Sequence, residues 1–279
     1  MKAVEPIFVA DLFGEIHEEL LTLLRGLSAE DWHKPTVAGS WLVRDIVAHL
    51  LDSDIRRLSF QRDQAPMGPP DTPIASYANL VGFLNQLNAD WVKAAKRISP
   101  PLLIEFLSIT GTEVTKLFQS LDPNSPAMFG VAWAGEETSA NWFDIAREYT
   151  EKWHHQQQIR DAVGAPALYA RKWLHPVLDT FMRALPVNYK NTLAASGTQL
   201  SFVITGEAGG VWTLVRRTDD WELFAGVTDN VATRIEFDQD TAWRLMTKGL
   251  SRDAAAKRMA MTGDINFAEP LLSTLAVMA

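Results

Sequence analysis

Arg147-Glu148-Tyr149-Thr150-Glu151-Lys152-Trp153-His154-His155 is the stretch on which the reading of this chain turns. On a helix, positions i and i+4 lie one above the other, so Glu151 and His155 project side by side, close enough to grip one ion. A carboxylate and an imidazole are common ligands of zinc and similar divalent metals. The same spacing also serves a plain solvated ion pair. The helical wheel leaves both open. Trp142, Ile145, Ala146, Tyr149 and Trp153 form an apolar face, while Asp144, Glu148, Glu151 and His155 fall on the other side. That polar stripe can face water, or it can line a cleft roofed by another part of the chain. His154 points about 100° away from its neighbour and is not expected to be a ligand.

Two ligands do not hold a catalytic metal, and His49 is the best third among the six histidines. It lies in Gly39-Ser40-Trp41-Leu42-Val43-Arg44-Asp45-Ile46-Val47-Ala48-His49-Leu50-Leu51. Ser40 can cap a helix there, and Leu42, Ile46, His49 and Leu50 follow the spacing of an inward stripe. A histidine on such a stripe needs partners for its ring nitrogens; a backbone carbonyl or a metal would supply one. Arg56, two turns later on the same face, is a candidate to bind a substrate carboxylate. Trp41 is a candidate wall of the site and of a cofactor bound there, or a core residue.

Composition sets the outer bounds. A chain of 279 residues with 47% apolar content suggests two domains with sizeable cores. A formal charge of −8 gives no reason to bind nucleic acid or an anionic membrane. No apolar run approaches the roughly 18 residues of a membrane span. The start Met1-Lys2-Ala3-Val4-Glu5-Pro6 lacks the apolar core of a signal peptide, so a cytoplasmic location is expected. The chain has no cysteine, which excludes disulfides and thiolate ligands; any thiol chemistry must come from a small molecule.

Periodicity changes along the chain. Helical patterns run from Val9 to Leu27, from after Ser40 to about Arg62, from Tyr77 to Ile98 and from Leu102 to Leu121, followed by the Glu151 helix. Pro66, Gly68, Pro69, Pro70 and Pro73 enforce a loop, and Asp122-Pro123-Asn124-Ser125-Pro126 ends the fourth pattern. After a linker at Gly164-Ala165-Pro166, one more helix is expected from Tyr169 to Leu185, ended by Pro186. Leu200–Thr205 and Val211–Arg216 then read as a hairpin around Glu207-Ala208-Gly209-Gly210. Further strands are expected at 221–227, 232–237 and 258–262, with helices at 240–248 and 265–277. The expected division is a helical bundle over residues 1–166, then a linker helix and a smaller α+β domain over 167–279.

The N-terminal half resembles the mycothiol-dependent maleylpyruvate isomerase family, a branch of the DinB-type metal-binding helical bundles. The resemblance rests on Trp32, Pro35-Thr36, the run from Gly39 and Trp41 through Val43 and Asp45 to His49-Leu50, and Glu151 and His155 followed by Arg160 and Gly164. The tail is similar to sterol-carrier-protein-type domains through Val211-Trp212, Asp238-Gln239-Asp240 and Gly263-Asp264. The resemblance implies a DinB-like four-helix bundle followed by a sterol-carrier-like α+β domain. It implies that His49, Glu151 and His155 bind a divalent metal, with zinc the first choice, and that a low-molecular-weight thiol such as mycothiol joins it. In that family the thiolate adds to a conjugated cis double bond, permits rotation and is expelled to give the trans product. The function so implied is a thiol-dependent isomerase or S-transferase acting on a small-molecule substrate. A metal-dependent hydrolase on the same ligands, or a carrier holding an apolar ligand in the second domain, are the alternatives. Arg216, Arg217 and Arg258 are candidates to reach the site from the second domain.

Overall fold

Helix α1 (Leu12–Arg25) buries Phe13, Ile16, Leu20 and Leu24, an i, i+3, i+7, i+11 stripe that turns one face to the core and the rest to solvent. In the computed structural model, which describes residues 1–68, 70, 73–228 and 231–277, this is the first helix of a bundle. Helix α2 (Val43–Arg56) continues into a π-helical segment, Arg57–Arg62. Helices α3 (Tyr77–Ala95), α4 (Pro100–Ser120) and α5 (Asn141–Val163) follow. Helix α2 packs on α3, α4 and α5, and α1 packs on α4 and α5. Among the described residues the bundle thus has five helices, one for each helical pattern in the sequence, and α3 touches the rest chiefly through α2. Among its described residues, no helix is long and apolar enough to cross a membrane.

Several helix ends differ from expectation. The first residue before α2 is Leu42, not Ser40; the Asp45 carboxylate reaches back to accept the Leu42 N–H at 3.1 Å, filling the capping role expected of the serine. Pro100 occupies the first turn of α4 rather than the gap before it, because a missing N–H costs nothing there. Gly164 ends α5 in the left-handed region (φ 72°), where a side chain would be strained, so the helix stops where the sequence pattern stops it. Gly111 of α4 serves closeness: a Cβ there would lie 2.2 Å from the His17 ring, so α1 can approach α4 only at a glycine. The loop after residue 63 is irregular as expected, but Pro69 lies outside the described residues.

Residues 8–128 and 140–167 make up this helical unit, and residues 1–7, 129–139 and 168–277 make up a second, mixed one. The sequential division at 166/167 thus differs from the compact units. The reason is pairing: strand β1 (Lys2–Ala3), unforeseen in the sequence, adds to the edge of the second unit's sheet. The turn Ala132–Ala134 likewise packs on a helix of that unit, α7.

The second unit is α+β. Helices α6 (Arg171–Met182) and α7 (Leu185–Tyr189) precede strands β2 (Gln199–Thr205), β3 (Gly210–Arg216), β4 (Trp221–Ala225) and β5 (Thr233–Asp238). Helices α8 (Gln239–Met246) and α9 (Arg252–Ala256), strand β6 (Ala260–Gly263) and helix α10 (Glu269–Leu272) complete it. The sheet order is β1-β4-β3-β2-β5-β6. The β2–β3 hairpin is antiparallel, with Phe202 opposite Trp212, whereas β2 and β5 are parallel, with Phe202 opposite Ile235. Pro186 starts α7 instead of ending the helix before it. The expected last helix is reduced to a 3-10 turn and one short helix, since Pro270 is tolerated only in a first turn.

One buried ion network joins α2 to α5. Both guanidinium nitrogens of Arg57 donate to the Asp144 carboxylate at 2.7 Å, and one also donates to Glu148 at 2.9 Å. Arg147 pairs with the same two acids. Burial favours neutral Asp144, but the charges of Arg57 and Arg147 outweigh it and hold the carboxyl below its ordinary value of 3.8. Arg57→Ala should therefore destabilise, read as a drop in the urea midpoint, by less than the roughly 3–5 kcal/mol of a fully orphaned buried charge, because it removes the bidentate guanidinium from Asp144 but leaves Arg147 beside both acids. A carboxyl with a depressed folded value stabilises fully above its unfolded value and loses that contribution as pH falls through the folded one. The gap between wild type and variant should accordingly narrow from roughly pH 5 toward pH 1. A gap that stays constant over that range would show that the ion network is not its source.

Candidate metal centre

His49 comes from the middle of α2, and Glu151 and His155 from successive turns of α5. One ligand atom from each of the three lies within 4.8 Å of the other two. Nε2 of His155 stands 3.4 Å from a Glu151 carboxylate oxygen. Two ligands at about 2.1 Å from a tetrahedral ion are themselves about 3.4 Å apart, so this separation already suits zinc. The His49 and His155 rings meet edge to face, with centroids 4.8 Å apart.

The donor set also carries an open valence. Nδ1 of His49 is buried and has no hydrogen-bond partner. Nδ1 of His155 lies 2.9 Å from the Gln158 amide oxygen, which accepts from it when the ring carries its proton on Nδ1. In a neutral imidazole this leaves a lone pair on Nε2, facing the Glu151 carboxylate. In that tautomer two acceptors face each other across 3.4 Å, an arrangement that a cation between them would relieve, whereas the Nε2–H tautomer would donate to the carboxylate. The residues present fit a divalent metal.

Electrostatics point the same way. Burial, then the nearby His155 ring, push His49 well below the ordinary histidine value, which favours the neutral, metal-binding form. Burial would raise Glu151, but His154 and His155 outweigh it and hold the carboxyl at about 2. Burial and His155 lower His154 to about 4. An ionised carboxylate beside neutral imidazoles is the state a metal needs at neutral pH. His154 is not in the three-residue group, although its Nδ1 lies 3.9 Å from a Glu151 carboxylate oxygen. Its Nδ1 pairs with the Thr150 carbonyl at 3.0 Å, and its ring lies 3.9 Å from that of His155.

Trp41 stands beside the centre, its ring centroid 5.1 Å from that of His49. The Pro35-Thr36 pair explains how it is held. Thr36 donates both its N–H and its hydroxyl to the Trp41 carbonyl, at 3.1 and 2.8 Å, and Pro35 forms a bridge with Leu42. Arg56 is engaged rather than free: it pairs with Asp52 at 2.7 Å and donates to Asn88 of α3 at 3.0 Å. Its charge nevertheless acts on His49.

Sequence reasoning missed Asn88 and Gln158. Gln158 stands three residues after His155, a spacing that was readable as a same-face neighbour. Asn88 comes from another helix and gave no local signal. Asp144 and Glu148, on the polar stripe whose surroundings the pattern left open, are the buried and half-buried partners of Arg57, because that stripe of α5 packs against α2. In the mixed unit, Arg217 pairs with Glu222 and Arg258 with Asp240, while the Arg216 guanidinium lies over the Trp221 ring.

Two curated Mycobacterium tuberculosis proteins, described as the uncharacterized proteins MT0041 and Rv0036c, are each 30% identical over 157 residues. The match takes in 56% of this chain and 56% of theirs, so the chain spans about half the length of the curated relatives it matches. The crystal structure of the mycothiol-dependent maleylpyruvate isomerase and that of a mutant of it both superpose with a TM-score of 0.51. Each covers 92% of this chain and 92% of its own at 11% identity, a likeness of fold. Residues 13–160 match the family described as the mycothiol maleylpyruvate isomerase N-terminal domain, a span that contains His49, Glu151 and His155, and the chain belongs to that family.

Proposed function

We propose that this protein is a metal-dependent enzyme that uses a small thiol, mycothiol or a relative of it, to isomerise or thiolate an electrophilic substrate. The observation that carries this reading is the convergence of His49, Glu151 and His155, with a lone pair and a carboxylate facing each other. Family membership supports the thiol, and the absence of cysteine from the chain makes an external thiol necessary for such chemistry. Bound by these three residues, a divalent ion would keep coordination positions open and lower the pKa of a thiol from about 8.5, giving a nucleophile at neutral pH.

The chain's own residues have separate tasks in this reading. His49 and His155 are ligands in their neutral form, and Glu151 supplies the one formal negative charge. Trp41 shields the His49 side of the centre from water and offers an apolar wall to the thiol. Arg56 attracts a substrate carboxylate. Its pairing with Asp52 and its bond to Asn88 hold the guanidinium in place, at the cost of part of its charge. A substrate with a conjugated cis double bond and carboxylates, such as maleylpyruvate, fits these demands. Zinc is the first metal to consider because the ligands are two imidazoles and one carboxylate.

Glu151→Ala and His155→Ala should each reduce bound metal to background in elemental analysis while keeping the helical circular dichroism of the wild type. Burial of the apolar helix faces, not the ion, supplies most of the bundle's stability. Wild-type metal content in either variant would remove the assignment.

Metal-loaded protein should turn over maleylpyruvate only when mycothiol or another low-molecular-weight thiol is added, and His49→Ala should abolish that turnover. Activated alkenes and epoxides extend the assay to S-transfer. Efficient turnover without thiol would point to a hydrolase. Absence of turnover with every thiol, together with tight binding of an apolar ligand by the mixed unit, would point to a carrier.

A further inference from the structure

We infer that Gln158 is the positioning residue of this centre: its amide oxygen fixes the tautomer of His155, so that Nε2 presents a lone pair to the ion. The inference rests on the metal-centre reading above and assigns a role to a residue outside the ligand set. Gln158 follows His155 by three positions, on the same face of α5, and is buried. Its oxygen accepts from Nδ1 at 2.9 Å, in a place where water competes little for that bond.

The alternative tautomer shows what this bond decides. With the proton on Nε2, His155 would donate directly to Glu151 across the 3.4 Å gap, and the pair would satisfy itself without an ion. Holding the proton on Nδ1 prevents that closure. It leaves Nε2 and the carboxylate as two acceptors awaiting a cation. A neutral hydrogen-bond acceptor behind a metal-bound imidazole also raises its basicity and fixes the ring plane.

The neighbouring glutamines have other duties. Gln156 donates to the Ile16 carbonyl at 3.0 Å and accepts from Arg160, and Gln157 donates to Asp161 at 3.1 Å. His154, with its own Nδ1 turned to a backbone carbonyl, packs against the His155 ring and limits its rotation. Gln158 is the one whose amide oxygen is seen to lie against the His155 ring.

The test measures zinc affinity by competition with a chromophoric chelator, for wild type, Gln158→Leu, Gln158→Glu and Glu151→Ala. Gln158→Leu should weaken zinc binding about 10- to 100-fold, and Gln158→Glu, which keeps an acceptor in place, should bind within a few-fold of wild type or more tightly. Long-range ¹⁵N–¹H correlation of the zinc-loaded wild type should find the His155 proton on Nδ1. This last measurement needs no variant and decides the matter if Gln158→Leu fails to fold. Zinc affinity of folded Gln158→Leu within twofold of wild type, or zinc on Nδ1 of His155, would overturn the positioning role alone, provided that Glu151→Ala has lost zinc. Wild type that binds zinc no better than Glu151→Ala would remove the metal centre and this inference together.

Discussion

The seam between α2 and α5 is the constraint from which the rest of the helical unit follows. Its polar contacts occur in order: His49 meets His155, Asp54 meets Lys152 at 3.3 Å, and Arg57 meets Glu148 and Asp144. Rising numbers on one helix meet falling numbers on the other, so the two run antiparallel in one register. Apolar packing alone tolerates sliding, because one leucine fits many grooves nearly as well as another. A slide would part the buried Arg57 guanidinium from Asp144 and Glu148, since Arg147 travels with its own helix and cannot replace them for Arg57, and a buried unpaired charge is costly. Eight residues separate His49 from Arg57, about 12 Å along the helix axis. The ion network thus fixes, from two turns away, which residue of α5 stands opposite His49.

This seam also explains where the sequence was legible. The α5 ligands were readable because a helix brings positions four apart together whatever surrounds them. The membership of His49 in an inward stripe was readable for the same reason. What the pattern left open was the fate of the polar face carrying Asp144 and Glu148. A helical wheel records which residues share a face, not what covers it, and the covering charge, Arg57, lies 87 positions earlier in the chain. Arg57 stands just beyond the last turn of α2, in the π-helical segment, where extrapolating a regular 3.6-residue period loses track of direction.

Errors at element ends have a common origin. Ser40, Pro186 and the stretch 265–277 were each read from local propensity. In each case a neighbouring residue decided otherwise: Asp45 bonded to Leu42, and Pro186 and Pro270 took first turns that admit proline. The β-hairpin was legible since its strands and turn are contiguous, whereas β1 was not. Two residues at the chain start carry no period, and they become a strand only because β4 offers an open edge.

Set against this well-satisfied seam, the candidate centre stands out by contrast. Asp144 and Glu148 share two arginines, and Asp54 has Lys152 and Thr110. A few residues away, His49 keeps a buried ring nitrogen without a partner, and a carboxylate faces a lone pair. His49 is not the sole case, since both ring nitrogens of His17 and the Nε atoms of Arg56 and Arg147 are also buried without a partner; what sets His49 apart is that a carboxylate and a second imidazole converge on it. The ion network holds the helices in register without help from a cation, which leaves the ligand atoms of His49, Glu151 and His155 available to one.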